Sequence, residues 1–172
     1  VHYAAPITDG AFEVHARPMR TNRSTQHWLV ELRQGDAVAP FATVLTAVRR
    51  DTWSATDAVF PSVPSAESLP RHPGVFRTEW PKAYDMRFTD GEQVLDNVVR
   101  DDAVTRVWLR DEPPSPLDFL ALSAICDAFI PRVFVRRSRA VPAGTVTLTV
   151  YFHADAALLA AQGTAHVLGC AK

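Results

Sequence analysis

The chain has 172 residues, of which 47% are hydrophobic, and a formal net charge of −1 at pH 7. These values are typical of a globular protein with one ordinary domain or two small ones. Its basic charge comes from 16 arginines and only two lysines, without a polybasic tract, so the sequence predicts no nucleic-acid partner.

The first third of the chain alternates apolar and polar residues with the period of two that is typical of β-strands. Gly35 and Asp36 are suited to a turn between two of these strands. The sequence therefore predicts an antiparallel meander. Its strands are expected at residues 1–7, 11–18, 26–33 and 41–50.

A proline-rich segment without periodicity follows at residues 55–81. Proline lacks the N–H that sheets and helix interiors need, so we expect neither element here. We predict that this segment is a linker between two domains. The expected domains are an N-terminal one at residues 1–54 and a C-terminal one at residues 82–172, each of them partial.

The second half resumes the alternating pattern. Strands are predicted at residues 84–88, 103–110 and 145–153, and residues 166–172 form another strand-like run. Within residues 145–153 threonines alternate with apolar residues. One face of this predicted strand therefore carries hydroxyl groups, among them that of Thr145, and the other face is apolar.

Residues 116–130 are predicted to form a long apolar helix. Ser115 is suited to the N-cap and Pro116 to the first helical position, where a missing N–H costs nothing. Asp118 completes an acidic variant of the capping box, and Pro131 ends the helix. A long helix among antiparallel strands indicates the α+β class, as a helix-on-sheet module used twice.

Asp127 is a carboxylate inside this apolar helix. A helix that is apolar all round belongs in a core, where an ionised acid costs several kcal/mol unless it has a partner or a function. One interpretation is a catalytic base. The other is a structural acid in the last turn that points to solvent or pairs with Arg132.

Cys126 and Cys170 are isolated and are predicted to be free thiols in a reducing compartment. No segment is apolar over the thickness of a bilayer and no signal peptide opens the chain, so we expect a cytoplasmic protein with no membrane span. The chain begins without Met inside one strand-like run and stops inside another. We therefore expect it to be part of a longer protein.

Seven motifs cover nearly the whole chain in a fixed order, the last of them ending in Tyr151, Phe152 and His153. They lie at residues 1–7, 20–28, 49–53, 84–88, 108–114, 122–127 and 142–153. In this order they resemble the bacterial acyl-CoA thioesterase II family. The resemblance is closest to the thioesterase-like proteins of high-GC actinobacteria.

This resemblance implies a double hotdog fold, in which two antiparallel sheets each wrap around a long helix. It implies hydrolysis of acyl-CoA thioesters to free fatty acid and CoA without a cofactor, some arginines meeting the CoA phosphates, and a homo-oligomer. The family's catalytic aspartate falls on Asp127 and its threonine on Thr145. The matching glutamine, the first hotdog helix and the last strands are expected outside this chain.

The chemistry of these two residues is intelligible by itself. Thioester hydrolysis needs a water that is deprotonated beside the carbonyl, which a carboxylate can do while a hydroxyl holds the water in place. Two alternatives remain open from the residues. Thr145 can be an ordinary strand threonine, and the protein can be a non-catalytic hotdog protein that binds acyl chains or acts as an assembly scaffold.

Other candidates have weaker support. Cys126 has no histidine near it in the sequence, and His27 and His153 lack the spaced partners of a metal site. The densest arginine run, at residues 132–139, holds four arginines. Such a run can bind an anion but is usually a solvent-exposed face of the protein.

Overall fold

The computed structural model describes residues 1–73, 79–92 and 96–172. The chain divides into two compact units, and each contains one antiparallel sheet. The first unit comprises Val1–Val59 and Thr145–Thr149, and the second comprises Phe60–Gly144 and Val150–Lys172.

The first unit is a four-stranded sheet with the order β1-β4-β3-β2. Three of the four predicted strands lie close to their expected positions, whereas β1 has only two residues. The strands are β1 (His2–Tyr3), β2 (Glu13–Thr21), β3 (Thr25–Gln34) and β4 (Ala37–Ala47). Strand β4 begins four residues earlier than expected because the tight turn at Gly35, with φ +60°, reverses the chain direction directly after β3.

The register of this sheet separates an apolar face from a polar one. Residues paired across antiparallel strands share a face, and successive residues alternate between faces. Trp28 therefore lies on one face beside Val44, and His27 lies on the other face beside Leu45. Among the described residues of 1–59, only Ala39 is buried.

The second unit is a three-stranded sheet with the order β5-β6-β7, covered by helices. Its elements are β5 (Tyr84–Asp90), β6 (Thr105–Asp111), α1 (Phe119–Cys126), α2 (Arg132–Arg137), α3 (Ala156–Gln162) and β7 (Val167–Ala171). Leu109 of β6, Ile125 of α1 and Leu159 of α3 share one buried apolar cluster. The predicted packing of a helix on a sheet is found here.

The central helix is shorter than the predicted span of residues 116–130. Asp118 is its N-cap, and one carboxylate oxygen accepts hydrogen bonds from the backbone N–H groups of Leu120 and Ala121, both at 2.8 Å. The prediction of Ser115 as N-cap and Pro116 as first helical residue is therefore wrong, because the Asp118 carboxylate satisfies these donors. Asp127 is the C-cap, with φ −95° and ψ 2°.

Residues 145–153 do not form the predicted strand. Within the first unit, Thr147 forms a single bridge with His2, and the backbone N–H of Tyr3 donates to the carbonyl of Val146 at 3.0 Å. A strand needs a partner to pair with, and β1 offers only two residues. The pairing is correspondingly short.

The described part of residues 55–81 contains only two short 3-10 turns, Ala66–Ser68 and Trp80–Ala83, as the proline content predicts. From Phe60 onward it belongs to the second unit. Trp108 donates its indole N–H to the carbonyl of Pro64 at 2.9 Å. None of the helices within residues 1–73, 79–92 and 96–172 has the length and apolarity needed to cross a membrane.

Candidate active site

Asp127 is exposed at the end of α1. The buried line of the helix runs through Ile125 and continues to Ala128 beyond its end, whereas Asp127 follows Leu120 and Ala124 along the exposed side. The expectation that this apolar helix buries Asp127 in a core is therefore wrong. The pattern of apolar residues did not show which side of α1 the sheet covers.

The charge of Asp127 affects two neighbouring groups in the second unit. Burial, then the charges of Asp111 and Asp127, raise the pKa of the Tyr84 hydroxyl. Burial and then Asp127 raise the pKa of the Cys126 thiol. Cys126 is exposed but favours the protonated thiol, which supports the view that it is not a nucleophile.

An open groove runs along α1 beside this exposed stripe. Leu120, whose exposed fraction is 80%, and Ala124 contribute to its apolar part. The other lining residues are Asp111, Ser115, Pro116, Asp118 and Ala121. Asp127 lies one turn beyond Ala124 on the same side of the helix, so the stripe leads from an apolar surface to a carboxylate.

Thr145 is exposed and belongs to the first unit. The residue after it, Val146, accepts the hydrogen bond from Tyr3, so Thr145 stands at the start of the short pairing with β1. Asp127 belongs to the second unit. Their joint action on one water therefore stays a prediction.

Two further side chains near Asp127 make local contacts. Ser123 donates its hydroxyl to the carbonyl of Phe119 at 2.6 Å. Arg132 is half-buried and donates to the carbonyls of Ala103 and Ile130 at 2.9 and 2.6 Å and to the Thr105 hydroxyl at 2.7 Å. Burial lowers the pKa of this guanidinium. Arg132 thus fastens the segment after α1 to the start of β6.

A buried ionic cluster around Asp85 was not predicted from the sequence. The side chain of Asp85 accepts hydrogen bonds from Arg87 at 3.2 and 3.1 Å and from Arg110 at 3.0 Å. His166 Nε2 lies 3.1 Å from Asp85 Oδ2, and Arg71 Nε lies 3.9 Å from Oδ1. The residue is 1% exposed, so three arginines and an imidazole surround one buried carboxylate.

The charges of this cluster determine its protonation. Burial alone would raise the pKa of Asp85, but the hydrogen bonds from Arg87 and the positive charges of Arg87 and His166 lower it to about 2. Burial, with the charges of Arg110 and Arg87, lowers the pKa of His166 despite the attraction of Asp85. Nε2 of His166 makes no hydrogen bond with any described residue. At neutral pH the imidazole is thus uncharged, and the arginines neutralise Asp85.

Asp85 is therefore a structural acid rather than a base, because arginine donors occupy its oxygens. A signal for the cluster existed in the sequence. Asp85 and Arg87 are two residues apart on one predicted strand, and Arg110 lies opposite Asp85 in the register of β5 with β6. In the described part of the chain, no three His, Cys, Asp or Glu side chains are grouped closely enough to hold a metal ion.

Comparison with protein families finds two adjacent domain models. The acyl-CoA thioesterase C-terminal domain matches residues 60–168, and the acyl-CoA thioesterase N-terminal domain matches residues 1–50. Comparison with curated proteins finds no match.

Comparison with solved structures confirms the hotdog fold. A conserved protein of unknown function with a hot dog fold from Alicyclobacillus acidocaldarius is 44% identical with a TM-score of 0.91, over 98% of this chain and 63% of that chain. The acyl-CoA thioesterase II TesB2 from Mycobacterium marinum is 17% identical with a TM-score of 0.55, over 74% of this chain and 48% of that chain. The chain thus spans less than two thirds of the length of either structure.

Proposed function

Because the chain belongs to the acyl-CoA thioesterase family, we propose that it hydrolyses acyl-CoA thioesters to a free acid and CoA. Asp127 is the proposed base and Thr145 the hydroxyl that orients the attacking water. The carboxylate accepts a proton from water while the oxygen bonds to the thioester carbon. The tetrahedral intermediate then collapses, the carbon–sulfur bond breaks, and the CoA thiolate leaves with the proton.

The observation that carries this proposal is the exposed stripe of α1. Leu120 and Ala124 offer an apolar surface, and Asp127 follows them along the same side. Asp127 lies seven positions after Leu120, which corresponds to about 10 Å along the helix axis. An acyl chain lying against the apolar part would bring its thioester end toward the carboxylate. Because Asp127 is exposed, water can reach it directly.

A panel of acyl-CoA substrates tests the proposal by steady-state release of free thiol. The Asp127→Asn variant should lose about a hundredfold or more of kcat, because the amide cannot accept the proton. Asp101→Asn is the matched control, since Asp101 is also an exposed acid of the second unit. Thr145→Val should lose activity, whereas Thr149→Val, an exposed threonine of the same segment, should retain it. Full activity in Asp127→Asn would reject this base.

A second candidate function is the binding of acyl chains without hydrolysis. The open apolar groove beside Leu120 favours it, because binding needs the groove but not the carboxylate. In that case the wild-type chain would bind a non-hydrolysable acyl-CoA thioether and show no turnover of acyl-CoA. Asp127→Asn would then bind the thioether as tightly as the wild type.

A further inference from the structure

Five arginines lie between the middle of the sheet in the first unit and the end at which the turn joins β2 to β3. Arg17 and Arg20 lie on β2, and Arg23 lies in the turn between β2 and β3. The backbone N–H of Val48 donates to the carbonyl of Ser24 at 3.0 Å. The two arginines that follow, Arg49 and Arg50, therefore emerge from the sheet beside the turn that carries Arg23.

Charge is segregated along this sheet. Residues 17–27 and 45–51 contain the five arginines and a single carboxylate, Asp51. At the other end, Glu31 is paired with Arg33 at 2.9 Å, and Glu13 lies 2.8 Å from His15 Nε2. The turn end of the sheet thus carries a strong local excess of positive charge, although the whole chain has a charge of −1.

Most of these guanidinium groups are available to an incoming anion. Arg17, Arg20, Arg23 and Arg50 are exposed, and none has a carboxylate within 4 Å among the residues that the structure describes. Arg20 uses its Nε to donate to the side chain of Asn22 at 2.9 Å, which fixes the guanidinium next to the turn. Arginine is suited to phosphate because its planar donors form bidentate contacts.

A flat, partly apolar surface adjoins these cations on the polar face of the sheet. The register places Arg20 opposite His27 and His27 opposite Leu45, so all three side chains share this face. His27 is exposed, and the exposed fraction of Leu45 is 60%. An imidazole ring beside an exposed leucine offers a platform on which a purine base can stack.

We propose that this turn end of the sheet binds the nucleotide moiety of CoA, a 3′-phosphorylated adenosine diphosphate. The guanidinium groups of Arg17, Arg20, Arg23 and Arg50 contact its phosphates, and the adenine stacks on His27 and Leu45. The inference deepens the proposed hydrolysis of acyl-CoA and rests on it for the identity of the ligand. The combination of several arginines with a stacking surface favours a nucleotide over a simple anion.

Titration calorimetry with adenosine 3′,5′-bisphosphate at low ionic strength tests this site directly. The triple variant Arg17→Gln, Arg23→Gln, Arg50→Gln should bind about tenfold or more weakly, because three screened charge contacts are lost. The control is Arg136→Gln, Arg137→Gln, Arg139→Gln, which removes the same charge from three exposed arginines of the second unit. Circular dichroism establishes that both variants are folded. Equal weakening in the two variants, or no binding by the wild type, would overturn the inference.

Kinetics with two thioesters separates this inference from the proposed function. If both hold, the triple variant raises KM for acyl-CoA and leaves kcat/KM for an acyl-pantetheine, which lacks the nucleotide, unchanged. An unchanged KM for acyl-CoA would refute the nucleotide site while leaving hydrolysis established. If the wild type hydrolyses neither thioester, the proposed function fails, and the calorimetric comparison still decides whether the cluster binds the nucleotide.

Discussion

His166 Nε2 lies 3.1 Å from Asp85 Oδ2, and both side chains are almost completely buried. Asp85 belongs to β5, and His166 immediately precedes β7. Strand β6 separates these two strands in the sheet, and its Arg110 donates to Asp85, so this ion pair joins β5 to β6. His166 places the residue that precedes β7 against the same carboxylate.

Replacement of Asp85 by asparagine should strongly destabilise the second unit. The substitution leaves Arg87 and Arg110 without their shared countercharge, and breaking a buried ion pair typically costs about 3–5 kcal/mol. The free energy of unfolding in urea measures this loss. Asp101→Asn, at an exposed acid, should change it by less than about 0.5 kcal/mol. A similarly small effect at Asp85 would mean that the arginines are rehydrated without cost.

The stability of the second unit should fall in two stages on acidification. The pKa of His166 is lowered from its usual 6.5 in the folded state, so the unfolded chain takes up a proton first and stability declines as the pH falls below about 6.5. The pKa of Asp85 is lowered from 3.8 to about 2, so its stabilisation is complete above about 4 and is lost toward pH 2.

Urea unfolding measured at several pH values checks whether stability falls on acidification as expected. His166→Gln should show a smaller decline between pH 7 and 5 than the wild type, since its side chain does not titrate. His15→Gln provides the control because His15 is exposed in the first unit. An identical decline in His166→Gln and the wild type would show that other groups cause the first stage.

The contribution of the N-cap of α1 to stability should be measurable at Asp118 and absent at Ser115. Asp118→Ala removes the acceptor for two backbone N–H groups and should cost about 1 kcal/mol of unfolding free energy. Asp118→Asn should retain most of that stability. Ser115→Ala should have a much smaller effect, although the sequence pattern favoured Ser115 as the cap. A larger loss of unfolding free energy in Ser115→Ala than in Asp118→Ala would support the longer helix predicted at residues 116–130.

Two glycines with similar backbone angles should differ in their tolerance of alanine. Gly35 and Gly91 have φ of +60° and +68°. At Gly35 a Cβ meets nothing within 4 Å, so Gly35→Ala should cost only the left-handed strain of about 1–2 kcal/mol. At Gly91 the Cβ would lie 2.1 Å from the carbonyl oxygen of Val104, which should add about 1–3 kcal/mol. Comparable unfolding midpoints for the two variants would contradict this difference.

If acyl chains lie along α1, Leu120→Asp should weaken the use of long-chain substrates. Loss of apolar burial at one leucine corresponds to about 1.5–3 kcal/mol, so KM for a long-chain acyl-CoA should rise about tenfold or more. Leu158→Asp, at an exposed leucine of α3, is the matched control. Both leucines are exposed, so neither substitution should much alter stability. An unchanged KM in Leu120→Asp would place the acyl chain elsewhere.

Local sequence signals predicted most strands of both sheets. Alternation with a period of two is a property of the strand itself, so β2, β3, β5 and β6 were found near their correct positions. The stretch at residues 145–153 alternates equally well and yet forms one bridge. Strand formation there depends on a partner, which alternation does not reveal.

The candidate site was less predictable because it depends on packing. The apolar composition of α1 indicated burial on all sides, but the sheet covers only the side through Ile125, and Asp127 is exposed. The helices α2 and α3 were not predicted. For α3 a signal existed, since Asp155 precedes a run of alanines and leucines and accepts from the backbone N–H of Leu158.

The short pairing of β1 with Val146 has a consequence for how the chain can be divided. A protease that cuts the exposed segment between residues 51 and 59 would yield two fragments. The smaller fragment would remain bound to the larger one through the hydrogen bonds of Val1 and Tyr3. Each fragment also lacks part of the contacts that define the first unit. We therefore expect the nicked protein to elute as one species and its two fragments to complement each other.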